Sequence, residues 1–286
     1  MARVRQYKFA LRLTASQERA AHRLLDAQCE LYNAALQERR DAYRLATSRG
    51  RVPPKVGYVH QCRELTAILA ERPELAAYGV VVCRGTLRRV ERAFGAFFRR
   101  VGAGQAPGYP RFRSYRRFDS VSYEDASGWK LDCPHRRLYL KGIGQIKARL
   151  HRPIPEGGRL RSAVLRRERV LRRGGHLTRA RWSVTVAVAL PEAEPKAPTG
   201  RRCGVDVGVR QLATVVDDRG VGYQYPPLRP LARARDRLAS AQRRVSRAER
   251  DSGRRAKAVA DLAGAQAKLA RVRAFWAHLL GPSALR

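Results

Sequence analysis

The stretch Cys203-Gly204-Val205-Asp206-Val207-Gly208-Val209-Arg210-Gln211-Leu212-Ala213-Thr214-Val215-Val216-Asp217-Asp218-Arg219-Gly220 sets one carboxylate, Asp206, in a short apolar run between two glycines. A second apolar run follows at once and closes on Asp-Asp-Arg-Gly, which predicts a β-hairpin. An Asp in a Val-rich strand calls for a reason, because a buried unpaired carboxylate is costly. Divalent-metal binding is one reason; a structural role is the other. Two-metal phosphodiester chemistry needs several carboxylates holding cations about 4 Å apart. The remaining downstream acids do not offer them. Asp217 and Asp218 fall in a turn, and Asp236, Glu249, Asp251 and Asp261 fall on the exposed side or tip of a helical segment.

Downstream, Gly222-Tyr223-Gln224-Tyr225 predicts a third strand, ended by Pro226, Pro227 and Pro230. Leu231, Ala234, Leu238, Ala241, Val245 and Ala248 then repeat three and four apart. After Asp251-Ser252-Gly253 the rhythm resumes at Leu262, Ala265, Leu269, Val272, Trp276 and Leu279. This is an antiparallel helical hairpin with an apolar seam and arginine outside. Upstream, 191–200 reads as a linker. Before it come short strands around Val121, Leu138–Leu140, Ile146–Leu150, Ala163–Leu165 and Trp182–Val188, at a spacing that predicts a small barrel or sandwich. The chain opens with Tyr7, Phe9, Leu11 and Leu13 in period-two alternation, a strand that completes this sheet. Thr14 and Gln17 form a capping box ahead of a helix to about residue 46. Shorter helices follow over 59–70 and 84–101, so a helical bundle is inserted into the sheet.

The 286 residues carry sixty Lys and Arg against twenty-four Asp and Glu, a formal charge of +36 and a pI near 11.5. A polyanion relieves such self-repulsion, and counterion release supplies affinity. No apolar run is long enough to span a bilayer, and the N-terminus lacks the apolar core of a signal peptide. The five cysteines stand singly without any Cys-x-x-Cys, which excludes a zinc ribbon and a disulfide framework and predicts a reducing, cytoplasmic compartment.

The segment from Gly108 to Phe118 interleaves Tyr109, Arg111, Arg113, Tyr115, Arg116 and Arg117 in an extended loop. Arginines reach phosphates and aromatic faces stack on bases, so these are nucleic-acid-binding candidates. The opposing reading makes Tyr115 and Phe118 core anchors with solvated arginines around them. Arg84, Arg88, Arg92 and Arg99 share one helix face and form a second candidate surface, although charged helix faces are usually just solvated. Arg166, Arg167, Arg169, Arg172 and Arg173 flank Gly174-Gly175 on a predicted hairpin, where they grip a backbone or blunt an edge strand.

The string at 204–214 resembles the first RuvC motif of TnpB, the OrfB-type proteins of insertion-sequence transposons, which are relatives of the type V CRISPR effectors. Pro110-Arg111-Phe112-Arg113, together with Ser120-Val121-Ser122-Tyr123, is similar to the loop and strand after that family's helical region. The opening strand, the Thr14 helix and the Arg-rich helical hairpin are similar to further parts of it, in the same order. The resemblance implies an α+β fold class: a small β-barrel with an inserted helical bundle, then a partial RNase H-like (RuvC) α/β domain with a helical hairpin. The implied domains are a wedge-like barrel over 1–13 and 118–190, a helical recognition domain over 14–117, a linker over 191–200, and the RuvC part over 201–286 with its hairpin over 231–280. The implied activity is that of an RNA-guided, Mg2+-dependent DNA endonuclease, with Asp206 as first catalytic, metal-binding aspartate and with DNA and guide RNA as partners. A cytoplasmic, nucleoid-associated location follows.

The family continues past the helical hairpin into a strand with a catalytic Glu, a four-cysteine zinc ribbon and a region with a catalytic Asp, none of which this sequence contains. The expectation is therefore a C-terminally truncated family member that binds nucleic acid but does not cleave it. Its Mg2+ site is incomplete, it has no zinc site, and it makes no membrane contact. A second polypeptide completing the nuclease domain is the split-protein alternative. A non-catalytic RNA/DNA-binding repressor or architectural protein is the alternative function, and a ribosome-associated basic protein is a third.

Overall fold

The computed structural model describes residues 3–168, 180–191, 200, 202–206, 211–226 and 228–279. The chain divides into two compact units, Met1–Glu168 with Ala180–Ala193, and Arg169–Arg179 with Glu194–Arg286. Residues 192–199 of the expected linker (191–200), the tip carrying Arg169, Arg172 and Arg173, and residues 207–210 after Asp206 lie outside the described residues.

The first unit is built on a seven-stranded antiparallel sheet. Its strands are β1 (Arg3–Arg12), β2 (Ser120–Tyr123), β3 (Trp129–Asp132), β4 (Arg137–Leu140), β5 (Gly144–Arg149), β6 (Arg159–Glu168) and β7 (Arg181–Leu190), in the order β2-β6-β7-β1-β5-β4-β3. The opening strand sits near the middle, paired with β7 over Arg3–Leu11 and with β5 over Ala10–Arg12. Tyr7, Phe9 and Leu11 point into the core, while Lys8 and Arg12 face out.

The two edge strands of this sheet, β2 and β3, are consecutive in the chain. Only Glu124–Gly128 joins them, and a 3-10 turn (Ala126–Gly128) takes up part of that link. Fully extended, the six steps from Tyr123 to Trp129 reach about 20 Å. A flat sheet of seven strands would separate its edges by about 29 Å. The sheet must therefore curl, and it is nearly closed. Tyr123 Oη, fully buried on one edge strand, donates to Lys141 O at the end of β4 (3.0 Å). Lys141 N–H donates to Gly128 O (2.9 Å). Gly128 fits closely there: a Cβ would lie 3.1 Å from the Tyr123 ring. Burial pushes the Tyr123 phenol far above its ordinary pKa, so it remains a donor at all physiological pH values.

The inserted helices are α1 (Ala15–Ser48), α2 (Tyr58–Glu71), the single turn α3 (Pro73–Ala76) and α4 (Val80–Gly102). The capping box starts α1 as expected. Gln17 N–H donates to Thr14 Oγ1 (3.3 Å), and Thr14 N–H donates to Gln17 Oε1 (3.0 Å). Leu24, Leu25 and Leu36 of α1 and Val82, Leu87, Val90 and Phe94 of α4 share one continuous core with the sheet. Helix α4 lies directly on β2: a Cβ at Gly85 would stand 2.8 Å from Ser122 O. Gln28, on the apolar face of α1, is fully buried and accepts from Thr86 Oγ1 of α4 (2.6 Å).

In the second unit, β8 (Cys203–Asp206), β9 (Ala213–Asp217) and β10 (Gly222–Tyr225) form an antiparallel meander with β9 in the middle. The helical hairpin is α5 (Arg229–Arg247) and α6 (Gly253–Leu279). Its buried seam is mostly alanine, with Ala234, Ala241, Ala258 and Leu269, whereas Leu238, Val245, Leu262 and Val272 are half-buried. Arg255 Nη1 donates to the carbonyls of Val245 (2.8 Å) and Ala248 (3.0 Å), satisfying acceptors that the end of α5 leaves open. No described helix of the chain is long and apolar enough to cross a membrane.

Candidate nucleic-acid interface

Asp206 ends β8 and pairs with Thr214 of β9. The cost of burying an unpaired carboxylate does not arise here, because Asp206 is exposed. Every residue of β8 is exposed, Val205 at 60%, because β8 is an edge strand of the meander and its apolar composition does not supply a covering layer. The neighbouring acids serve turns. Asp217 Oδ1 accepts from the amides of Arg219 (3.1 Å) and Val221 (2.8 Å), and Asp218 Oδ2 accepts from Arg202 N–H (3.2 Å). Among the described residues, no group of three metal-ligating side chains includes Asp206. One exposed carboxylate on a sheet edge does not fit a two-cation hydrolytic centre.

The loop over 108–118 has a fixed backbone and exposed cationic side chains. Arg113 N–H donates to Asn33 Oδ1 (2.8 Å), and Arg113 O accepts from Asn33 Nδ2 (2.8 Å) and Cys29 Sγ (3.3 Å). A single asparagine on α1 thus pairs both backbone groups, as a neighbouring strand would. Further along, Arg167 Nη2 donates to Tyr115 O (3.0 Å) and Phe118 O (3.3 Å). Phe118 is a core residue, lying under the Arg89 guanidinium at 4.6 Å. Tyr115 is 55% exposed, so only one of the two suspected anchors is buried. Arg111, Arg113, Arg116 and Arg117 are exposed between the pins. Tyr109 is committed to packing: its ring meets Phe94 (5.5 Å) and Phe97 (5.4 Å) edge-on, and burial raises its phenol pKa. Arg40 lies over Tyr109 and, closer, over Phe112 (5.0 Å).

The α4 face divides. Arg88 and Arg92 converge on Glu124 at 2.7 and 3.1 Å, and Arg88 also stacks over Tyr58 at 4.7 Å. Arg84 and Arg99 are exposed and have no ion-pair partner among the described residues. On the predicted hairpin, Arg167 is a buried structural residue and Arg166 pairs with Asp119 (3.2 Å). Strand β6 lies inside the sheet, so these arginines do not blunt an edge.

The structure also assembles a site that no local stretch of sequence contains. Arg12 of β1 stands directly opposite Lys147 of β5, and Lys147 stands opposite Arg137 of β4. Three cations therefore lie side by side across three adjacent strands. With His135, Arg136 and Arg149 they line a groove of about 550 Å³, which holds no acidic residue. Asp132, which stands opposite Arg137 on β3, is engaged by His135 Nδ1 (2.9 Å). A neighbouring recess of about 350 Å³ shares Arg12, Arg137 and Lys147. The available signal was the outward phase of three strands, since Arg12, Lys147, Arg149 and Arg137 all alternate with buried apolar residues.

The family model described as "Probable transposase" (OrfB of the IS605 type) matches residues 185–280. This chain is related to the OrfB-type transposon proteins. Escherichia coli K12 InsQ, provisionally named an RNA-guided DNA endonuclease, is 24% identical over 86% of this chain and 55% of its own length. A Mycobacterium tuberculosis protein with the same provisional activity in its name is 35% identical over 62% of this chain and 38% of its own. A Streptomyces pristinaespiralis protein of that name is 27% identical over 99% of this chain and 64% of its own. The chain spans between 38% and 64% of the length of these curated relatives. Among solved structures, a Cas12f1–sgRNA–target DNA complex aligns with a TM-score of 0.48 and 11% identity, over 90% of this chain and 59% of that one.

Proposed function

We propose that this OrfB-type chain is a nucleic-acid-binding protein of the RNA-guided line, holding guide RNA and DNA by their phosphate backbones without cutting DNA by itself. The row Arg12–Lys147–Arg137 carries the proposal. Like charges directly opposite one another destabilise a sheet, and two such pairs share Lys147. A phosphate backbone laid along the groove offsets that repulsion and releases counterions. The pinned loop adds a second contact whose backbone is already ordered, so that less conformational entropy is lost on binding. Arg84, Arg99, Arg111, Arg113, Tyr115, Arg116 and Arg117 are the members of the contact set that we take as available, since Arg88 and Arg92 pair with Glu124 and Tyr109 packs against Phe94 and Phe97. We read the β8–β10 meander and the α5–α6 hairpin as part of an RNase H-like domain, with Asp206 in the place of its first aspartate.

Two measurements test this reading. Fluorescence anisotropy with an RNA–DNA heteroduplex, repeated across salt concentrations, gives the number of phosphates neutralised. The triple variant Arg12→Gln/Arg137→Gln/Lys147→Gln should flatten the slope of log K against log[salt] by roughly 2–3 on a duplex. An unchanged slope would remove the groove from the interface. The second is incubation of the chain with guide RNA, supercoiled target DNA and Mg2+, with Asp206→Ala as control. Cutting that disappears in Asp206→Ala would overturn the non-cutting half, while intact plasmid supports it. The repressor alternative is separated by footprinting in cells, where it requires a stably occupied operator.

A further inference from the structure

We infer that Glu38, His60 and Glu64 form a divalent-cation site that clamps α2 onto α1. Glu38 lies on α1, and His60 and Glu64 lie one turn apart on α2. One ligand atom from each falls within 4.8 Å of the others. His60 Nε2 is 3.1 Å from Glu64 Oε1 and 3.7 Å from Glu38 Oε1. Ligand atoms about 2.0–2.1 Å from a tetrahedral ion stand roughly 3.3 Å from one another, so these two distances bracket the required spacing.

The surroundings hold the ligands in place. Glu38 Oε2 accepts from Gln61 Nε2 (2.7 Å), which leaves Oε1 turned toward His60. Gln61 is itself buried and locked. Its amide also donates to Ala35 O (2.8 Å), and its Oε1 accepts from Arg39 Nε (3.1 Å) and Nη2 (2.9 Å). Such hydrogen-bonded support is what orients a ligating carboxylate. The charge balance points the same way. Among the described residues, neither carboxylate has a Lys or Arg partner, in a chain with sixty of them. The three side chains keep one side open to solvent, at 36%, 50% and 45% exposure, which leaves room for water as a further ligand. One imidazole with two carboxylates suits Zn2+ or a similar first-row ion better than Mg2+, which favours oxygen-only shells. The expectation of no zinc site rested on cysteine spacing and does not reach this ligand set.

The test uses the tag-free, EDTA-stripped full chain with Cys133→Ser and Cys203→Ser, which removes the two exposed thiols as competing ligands. Calorimetric titration with Zn2+ should show one ion per chain. Co2+ substituted for Zn2+ should give visible d–d bands. His60→Gln and Glu64→Gln, both at exposed positions, should each weaken uptake at least tenfold, a typical loss for a disturbed site, and abolish the bands. At a hundredfold excess over Kd, Zn2+ should raise the melting temperature of the first unit by about 5–10 °C, and not in His60→Gln. No saturable uptake would overturn the site, as would equal uptake by His60→Gln/Glu64→Gln. Uptake without a thermal shift would overturn the clamp. In either case nucleic-acid binding is unaffected, so the site stands or falls apart from the proposed function.

Discussion

Replacing Lys147 by Gln should make the protein more stable and a poorer binder of nucleic acid, an opposition that only a functional row of like charges produces. Lys147 faces Arg12 on one side and Arg137 on the other. Directly opposed residues have Cβ atoms about 5 Å apart, and the long side chains let the charges splay to about 7 Å. In water each pair then costs ~0.6 kcal/mol, which screening at physiological salt reduces to ~0.25 kcal/mol. Removing both pairs gains ~0.5 kcal/mol, a rise of ~1–2 °C in the melting temperature of a unit of this size. Trp129 and Trp182 are both buried in the first unit, so their fluorescence reports its unfolding. The same variant loses one phosphate contact, so its salt slope on duplex should drop by ~0.9. Lys147→Glu converts both repulsions into ion pairs and should roughly double the stability gain, while depressing affinity further. A destabilised Lys147→Gln would mean that the stem of the side chain packs rather than that its charge repels. An unchanged salt slope would mean that no phosphate lies in the groove. Either result refutes the reasoning.

Tyr123→Phe deletes the hydrogen bond that ties one edge strand to Lys141 O across the gap in the curled sheet, and should cost ~1–2 kcal/mol in urea titration; wild-type stability would show that the link is dispensable. Gly85→Ala drives a Cβ to 2.8 Å from Ser122 O, which should separate α4 from β2 at a cost of ~1–3 kcal/mol, measured by the same titration. Asn33→Ala removes both side-chain bonds to the Arg113 backbone; limited proteolysis should then cut within 108–117, and RNA affinity should fall several-fold with the salt slope unchanged, whereas a protease-resistant loop would show that the Arg167 contacts suffice.

Local chemistry is what the sequence makes legible. Thr14 and Gln17 mark the start of α1 because a capping box is written within four residues. The β8–β9 hairpin is readable because its two apolar runs are contiguous, and the Asp-Asp-Arg-Gly turn marks where β9 passes into β10. Strand β3 escapes such reading, since four residues hold only Trp129 and Leu131 as inward positions. Strand β6 reads too short because arginines interrupt it, yet Arg159, Arg161 and Arg166 occupy its exposed positions. The groove is not legible at all from any one segment. Residues 12, 137 and 147 meet only through strand register, which is a property of the whole sheet. Asp206 shows the converse limit. A Val-rich strand suggests burial, but burial depends on what packs over a sheet, and here β8 remains open.

The few acids of this chain separate its structural arginines from its available ones. Glu124 holds Arg88 and Arg92, Asp119 holds Arg166, Glu91 holds Arg39, and Asp261 holds Arg244. Apart from the buried Arg39, these are exposed pairs, which add little to stability, so their main effect is on the distribution of charge. They neutralise the middle of the α4 face and the outer side of β6. They leave the groove of Arg12, Arg137, Lys147 and Arg149, and the loop of Arg111, Arg113, Arg116 and Arg117, without an ion pair among the described residues. In the proposed reading a polyanion therefore engages the groove, the loop and the ends of the α4 face at Arg84 and Arg99 before its middle. Removing Glu124 frees Arg88 and Arg92 to join them. Glu124→Gln should accordingly steepen the salt dependence of RNA binding by up to about 1.4, two contacts at ~0.7 each on a single strand. If the slope does not move, Arg88 and Arg92 point away from the bound strand, and the interface is confined to the groove and the pinned loop.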